Sequence, residues 1–212
     1  MGTVDDFVLN KYKSLYDGVV VDAEADGDYV SITRREQRPI RFAVIKKQNV
    51  IADDIAHLLG GDVDFIVNIP RTGIFQADAI NLCLEKEVAW GGLADSMRAV
   101  RLDDPQTYVP ENLAFVMRGL LRHSHVESVS HLDSRRLRIT RTDGLPELVL
   151  YIEDSYQAEV TTVHFAIDRC SPFDIFVATN PNAGPTKNAM AAAQDAGVEI
   201  LRWADTLRRL RQ

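Results

Sequence analysis

The chain has 212 residues, 46% of them hydrophobic and 26% charged, which is ordinary for a globular protein with an apolar core. A formal net charge of -7 and a pI near 5.2 argue against binding of nucleic acid through overall charge, and leave only a local basic face as a way to do so. The cysteines Cys83 and Cys170 lie in apolar helical contexts and predict buried thiols rather than a disulfide framework. We find no secretory signal and no apolar run of the roughly eighteen residues that a membrane span needs, so we expect a cytoplasmic protein without a membrane partner.

Apolar periodicity and turn residues predict alternating helices and strands in the first half of the chain. The turn-prone Asp26-Gly27-Asp28 separates the first two strands, and Gly60-Gly61 ends the second helix. Residues 101–109 read as a linker. Helices are predicted over 4–15, 51–59, 76–87 and 93–100, and strands over 18–23, 28–33, 41–46, 65–69 and 88–90.

The second half of the chain repeats this order of elements. Pro110 is a helix-start signal, and Gly197 is a helix-end signal. Helices are predicted over 112–121, 160–169, 187–196 and 204–210, and strands over 126–129, 135–140, 148–152, 175–179 and 198–201.

Two gapless matches indicate an internal duplication. Residues 31–45 align with 138–152 and share an Ile-Thr-Arg run, while residues 64–100 align with 174–210. The offset differs by three residues between the matches, which a small loop insertion explains; shared α/β patterning is the alternative explanation. We therefore predict an α/β fold of two tandem αβββαβαβα units, spanning 1–104 and 105–212, in a pseudo-twofold arrangement.

This order of elements resembles the PD-(D/E)XK restriction-endonuclease-like fold. The end of each copy also resembles the C-terminal part of Mrr-type nuclease domains, in which a buried strand leads through a small-residue loop into an Ala-rich helix; here these are 174–179, Asn180-Pro181 and the segment through Ala189. The resemblance implies an acid on the second strand and an acid-x-lysine on the third. Two carboxylates hold a divalent metal in such sites, and the lysine helps to orient the attacking water.

The chain departs from that motif at its lysines, because none of the six follows an acid by two residues. The third strand ends in Lys46-Lys47 in the first copy and in Glu153-Asp154 in the second, so each copy keeps one sign of charge. A composite catalytic site of these four residues, with Mg or Mn as cofactor, is one interpretation. A catalytically silent descendant without a cofactor fits the departure better.

The loops after the two buried strands are candidate ligand sites, since open α/β sheets bind ligands beyond the carboxyl ends of their strands. The second loop lacks the ending of a Walker A motif, and a plain helix-capping role for its threonine is the alternative. The candidate residues are Arg71, Thr72 and Gly73 in the first loop, and Asn180, Asn182, Gly184, Thr186 and Lys187 in the second.

Arginines recur on corresponding strands of the two copies. Side chains on a strand alternate between faces, so one row could meet phosphates while Ile32 and Ile139 point to the core. A solvated face that pairs with the many acids is the alternative. The candidate nucleic-acid contacts are Arg34, Arg38, Arg136 and Arg138.

These features favour a non-catalytic or regulatory binding protein of two degenerate nuclease-like units, which recognises a nucleotide, a nucleic acid or a protein partner. One alternative is a metal-dependent nuclease or phosphoesterase that uses Glu153 and Asp154. The other is an immunity- or inhibitor-type module whose acidic surface meets a basic protein.

Overall fold

A computed structural model of the chain describes residues 4–15, 18–153, 155–182 and 184–212. The predicted mixed α/β class is confirmed, and the chain forms two compact units, Met1–Pro110 and Glu111–Gln212. The division falls at residue 110, beyond the predicted boundary at 104. The reason is that Pro105 is buried, while Asp103 and Gln106 accept hydrogen bonds from Gln37 and Arg38 of the first unit.

The first unit begins with a helix that Asp5 caps, because the Asp5 carboxylate accepts the Val8 N–H at 3.1 Å. A short 3₁₀ turn, Ala56–Leu58, extends the second helix. The helices are α1 (Asp6–Lys13), α2 (Ala52–Ile55), α3 (Ala77–Glu85) and α4 (Leu93–Ala99). The strands are β1 (Val20–Asp26), β2 (Tyr29–Arg34), β3 (Ile40–Ile45), β4 (Asn49–Val50), β5 (Phe65–Asn68), β6 (Ile74–Phe75) and β7 (Ala89–Gly92).

The main sheet of this unit has the strand order β1-β2-β3-β5-β7. The strand β2 is antiparallel to β1 and to β3, whereas β3, β5 and β7 run parallel to one another. Every residue of β5 is buried, both the apolar run 65–67 and the polar Asn68 at its end. Tyr12 of α1, Phe42 of β3 and Phe65 of β5 pack in series in the core, with ring centroids 6.0 and 5.3 Å apart.

The second unit has the same succession of helices and main-sheet strands. Its helices are α5 (Glu111–Leu121), α6 (Val160–Cys170), α7 (Lys187–Asp195) and α8 (Trp203–Arg209). Its strands are β8 (Val126–His131), β9 (Arg136–Arg141), β10 (Leu148–Glu153), β11 (Ile175–Ala178) and β12 (Glu199–Arg202). They form a sheet of order β8-β9-β10-β11-β12 with the same pattern of antiparallel and parallel pairs. Within the described ranges, no helix has both the length and the apolar character needed to cross a membrane.

The two sheets also agree in local irregularities. The pairing of β1 with β2 shifts between Val20 and Asp22, and that of β8 with β9 shifts between Val126 and Ser128. The gapless match aligns Ile45 with Ile152, but the pairing of the third strand with its parallel neighbour differs from this by one residue. In β3, Ile45 pairs with Asn68 of β5, and in β10, Glu153 pairs with Ala178 of β11. Because Asn68 and Ala178 correspond in the second match, Glu153 takes the place of Ile45 rather than of Lys46. The connection from β9 to β10 is therefore one residue longer than that from β2 to β3.

A buried arginine ends the second strand of each sheet. The Arg34 guanidinium donates to the carbonyls of Val100 and Leu102, just after α4. Arg141 donates in the same way to the carbonyls of Leu210 and Gln212, just after α8. Each arginine thus donates to backbone carbonyls at and after the C-cap of the last helix of its unit.

Candidate ligand-binding site

The first unit contains a cavity of about 410 Å³ at the edge of the sheet where β3 ends. The antiparallel pairing of β2 and β3 places the start of β2 beside this end, and the Val44 N–H donates to the Asp28 carbonyl at 2.7 Å. The wall opposite comes from α2 and the 3₁₀ turn. The lining residues are Asp28, Val44, Ile45, Lys46, Lys47, Asp54, His57 and Leu58.

Both predicted lysines line this cavity, and each is held by a carboxylate. The Lys46 ammonium lies 2.8 Å from Asp5, and the Lys47 ammonium lies 2.9 Å from Asp54. The hydrogen bond from Lys47 lowers the pKa of Asp54, and the hydrogen bond from Lys46 lowers the pKa of Asp5. The two lysine side chains are 42% and 54% exposed, and ion pairs this exposed contribute little to stability. A ligand anion can therefore compete for both ammonium groups.

Three polar residues of this cavity, Asp28, Asp54 and His57, were not identified from the sequence. Asp28 stands at the start of a predicted strand, and the other two are three residues apart on a predicted helix, so they share one face. These positions in the sequence could have marked the three residues as candidates for a polar site. The long-range pairing that brings them to Lys46 and Lys47 is tertiary and has no local signature.

The first predicted ligand loop lies at the same edge, after β5. Its residues Arg71 and Thr72 are exposed, and Gly73 sits where the chain enters β6. The Thr72 hydroxyl donates to the side-chain oxygen of Gln48 at 3.1 Å, and Gln48 is the residue that follows Lys47. The structure thus brings this loop next to the segment that carries the lysines.

The acids predicted for catalysis belong to the second unit. Glu153 is buried at the end of β10, where its carboxylate accepts the Ser155 N–H at 3.0 Å and lies 3.4 Å from the Tyr151 hydroxyl. The Arg135 guanidinium lies 3.4 Å from the same hydroxyl. Asp154 lies outside the described residues. Glu153 is therefore part of a buried polar network with Tyr151 and Arg135.

The second predicted ligand loop is shaped by local contacts. The Thr186 hydroxyl accepts the Ala189 N–H at 3.1 Å, as the alternative N-cap role requires. The Asn180 side chain accepts the Asn182 N–H at 2.9 Å, which closes a turn. Gly184 faces the Arg202 guanidinium, and Lys187 is the first residue of α7.

The four candidate arginines are engaged within their own units. Arg34 is 3% exposed and donates to backbone carbonyls, so a phosphate contact at this position does not agree with its burial. Arg38 forms an ion pair with Asp64 at 2.6 Å. Arg136 binds the buried Asp133 at 2.7 Å, and Arg138 lies 3.8 Å from the exposed Glu147. Arg38 and Arg138 keep 45% and 48% of their side chains exposed, each beside an acid, so a phosphate contact at these two stays a prediction.

Metal ligands are sparse around the cavity. In the parts of the chain that the structure describes, no group of three or more His, Cys, Asp or Glu side chains is arranged to hold a metal ion. Among the residues that the structure describes, Asp28 and Asp54 are the carboxylates that line the cavity itself. The lysine cavity, lined by Lys46 and Lys47, thus places two ammonium groups beside two carboxylates, and the ammonium groups are its charged donors to an anion.

Comparison with protein-family models, curated proteins and solved structures found no match to this chain.

Proposed function

We propose that this protein is a non-catalytic binding protein whose first unit holds the phosphate group of a nucleotide or nucleic-acid end. The observation that carries the proposal is the convergence of Lys46, Lys47 and His57 on one cavity at the edge of the sheet where β3 and β5 end. Ammonium groups bind phosphate as point charges, and an imidazole adds a further donor. Edges of this kind are where open α/β sheets bind ligands.

The proposal includes an origin of the two units by duplication of a restriction-endonuclease-like ancestor. Four features support it: the shared strand order, the bulges at corresponding places, the paired arginines Arg34 and Arg141, and the order of elements. The corresponding third-strand position carries Ile45 in one unit and Glu153 in the other. The two copies have thus diverged at the positions where that family carries its chemistry. A pseudo-twofold arrangement of the units stays a prediction.

Loss of catalysis follows from the residues that precede the lysines. Val44 and Ile45 are fully or almost fully buried apolar side chains, at the positions where the acid-x-lysine motif needs a carboxylate. A site without that carboxylate lacks one of the two groups that hold the metal in such nucleases. Binding of the phosphate can persist, because it depends on the lysines.

The direct test is equilibrium binding of thymidine 5′-monophosphate and of a 5′-phosphorylated oligonucleotide. Lys47→Gln should weaken binding of both about tenfold, equivalent to about 1.4 kcal/mol. Lys86→Gln is the matched control, because Lys86 is an equally exposed lysine of the first unit that pairs with Glu85 at 3.2 Å. Equal affinity of the two variants would contradict the proposal. Failure of the wild type to bind any nucleotide would favour the immunity- or inhibitor-type protein partner.

A second candidate is a metal-dependent nuclease or phosphoesterase, which one observation favours. Asp28 and Asp54 line the same cavity as the two lysines, so two carboxylates and a lysine are present in one place. Incubation with supercoiled DNA and Mg or Mn would reveal nicking. Activity abolished by Asp28→Asn would assign the reaction to this cavity, whereas activity abolished by Glu153→Ala would assign it to the second unit.

A further inference from the structure

The loop that carries Arg71 is fastened to the strand extension that carries Lys47. After β3 the chain continues through Lys47 and Gln48 into β4, and β4 pairs in parallel with β6. The Ile74 N–H donates to the Gln48 carbonyl at 2.9 Å, and the Thr72 hydroxyl lies 3.1 Å from the Gln48 side chain. The loop and the lysine segment therefore form one continuous structure.

A buried asparagine fixes the spacing between them. Asn68, 2% exposed, accepts the Lys47 N–H at 3.0 Å and donates to the Lys47 carbonyl at 2.9 Å. Gly73 packs against this pair so closely that a Cβ atom there would overlap the Asn68 amide nitrogen and lie 2.8 Å from the Lys47 carbonyl oxygen. The Gly73 N–H also closes the turn on the Pro70 carbonyl at 2.8 Å. Arg71 lies inside this turn, so these contacts fix the position of its backbone relative to that of Lys47.

Arg71 differs from the two lysines in its ion pairs. Lys46 and Lys47 each have a carboxylate partner, Asp5 and Asp54 respectively. Among the described residues, no acidic side chain pairs with the exposed Arg71 guanidinium. An exposed guanidinium offers a fork of donors that matches a phosphate group.

We infer that Arg71 is a second anion contact, so that the site takes a ligand with two linked phosphate groups rather than a single phosphate. One phosphate occupies the lysine cavity, and the next is bound by Arg71 at the turn. The chemistry is shared by a short single strand of nucleic acid and by a nucleoside triphosphate. This inference rests on the proposed function, because it extends the phosphate site of the first unit.

The experiment compares four probes on the full chain by fluorescence or calorimetric titration at fixed salt. The probes are thymidine 5′-monophosphate, thymidine 5′-triphosphate, a 5′-phosphorylated thymidine dinucleotide and a tetranucleotide. The variants are Arg71→Gln, Lys47→Gln and the control Arg35→Gln, which replaces another exposed arginine of the first unit. Because Arg71 is exposed, its replacement should leave the unfolding midpoint unchanged.

The wild type should bind the dinucleotide about tenfold more tightly than the monophosphate, as one added phosphate contact implies. Arg71→Gln should erase this ratio while it leaves monophosphate affinity unchanged, and Lys47→Gln should weaken all probes. The salt dependence of tetranucleotide binding should fall by about 0.7 in slope for Arg71→Gln. A larger gain for the triphosphate than for the dinucleotide, lost in Arg71→Gln, identifies a nucleotide as the source of the second phosphate, and a larger gain for the dinucleotide identifies a nucleic-acid strand.

Two results would overturn the inference alone: equal affinity of the wild type for the mono- and dinucleotide, or a ratio that persists in Arg71→Gln. In both cases binding that still depends on Lys47 would leave the proposed function standing. Absence of binding of every probe would refute both.

Discussion

The paired arginines yield a quantitative prediction about the stability of the first unit. Arg34→Met keeps the aliphatic stem and removes the guanidinium, which donates to the carbonyls of Arg38, Val100, Leu102 and Asp103. Burial lowers the pKa of Arg34, yet an arginine stays protonated throughout the accessible range. The variant therefore removes donors from a charged group that fastens the end of α4 to β2.

The expected loss can be worked out from the burial of these contacts. The contact to Val100 is buried, and the other three are partly buried. A buried carbonyl that loses its donor costs roughly 1–3 kcal/mol, and one that water can reach costs about 0.5–1 kcal/mol. The free energy of unfolding should fall by roughly 2.5–6 kcal/mol, a large part of the roughly 5–15 kcal/mol typical of a domain.

Each unit carries one tryptophan, so urea unfolding can be followed in each separately. Trp90 lies in the first unit and Trp203 in the second. In a Trp203→Phe background, Arg34→Met should lower the midpoint reported by Trp90, whereas Arg35→Met, at an exposed neighbouring position, should not. In a Trp90→Phe background, Arg141→Met should act on the second unit in the same way. A loss below about 1 kcal/mol for Arg34→Met would refute the assigned role.

Three further predictions concern packing and titration. Gly73→Ala should lower the free energy of unfolding of the first unit in urea by about 1–3 kcal/mol, because the added Cβ would overlap the amide of the buried Asn68. Gly60→Ala has open space around it and should be nearly neutral, and equal effects of the two changes would contradict the packing argument. Burial lowers the pKa of His131 in the folded protein, so below about pH 6.5 the unfolded chain binds a proton at this imidazole more readily, and the free energy of unfolding should decrease as the pH falls. His131→Gln should flatten this pH dependence, and an unchanged pH profile of the variant would count against the role of His131. Burial raises the pKa of Cys83 to about 12 and that of Cys170 to about 11, so neither thiol should react with a disulfide reagent at pH 8 until the chain is denatured, and rapid labelling of the native protein would contradict this.

Much of the fold could be predicted because apolar runs and turn residues specify local structure. The apolar run at the start of β5, the turn at Asp26-Gly27-Asp28 and the helix that begins at Lys187 each have a direct local cause. The strands β4 and β6 could not be found, since two residues each are too few to form a pattern. The one-residue slip at Glu153 was missed because a gapless match allows no insertion between β9 and β10.

The site was harder to predict, because its residues are brought together by long-range pairing. Lys46 and Lys47 were identified from their place after a strand, but Asp54 and His57 belong to a separate helical segment. The burial of Arg34, which does not agree with a phosphate contact, could have been predicted from the strand pattern. Arg34 is two residues after Ile32 on β2, so the two share the core face, and both are buried.

The most direct test of the lysine cavity is a titration of the isotopically labelled chain with a 5′-phosphorylated thymidine tetranucleotide, followed by amide chemical shifts. Saturable shifts should be largest at Lys46, Lys47 and His57 and extend to Arg71, and in Lys47→Gln the shifts at Lys46 and His57 should need about tenfold more ligand to saturate. Shifts confined to the second unit, or none at saturating ligand, would contradict the account.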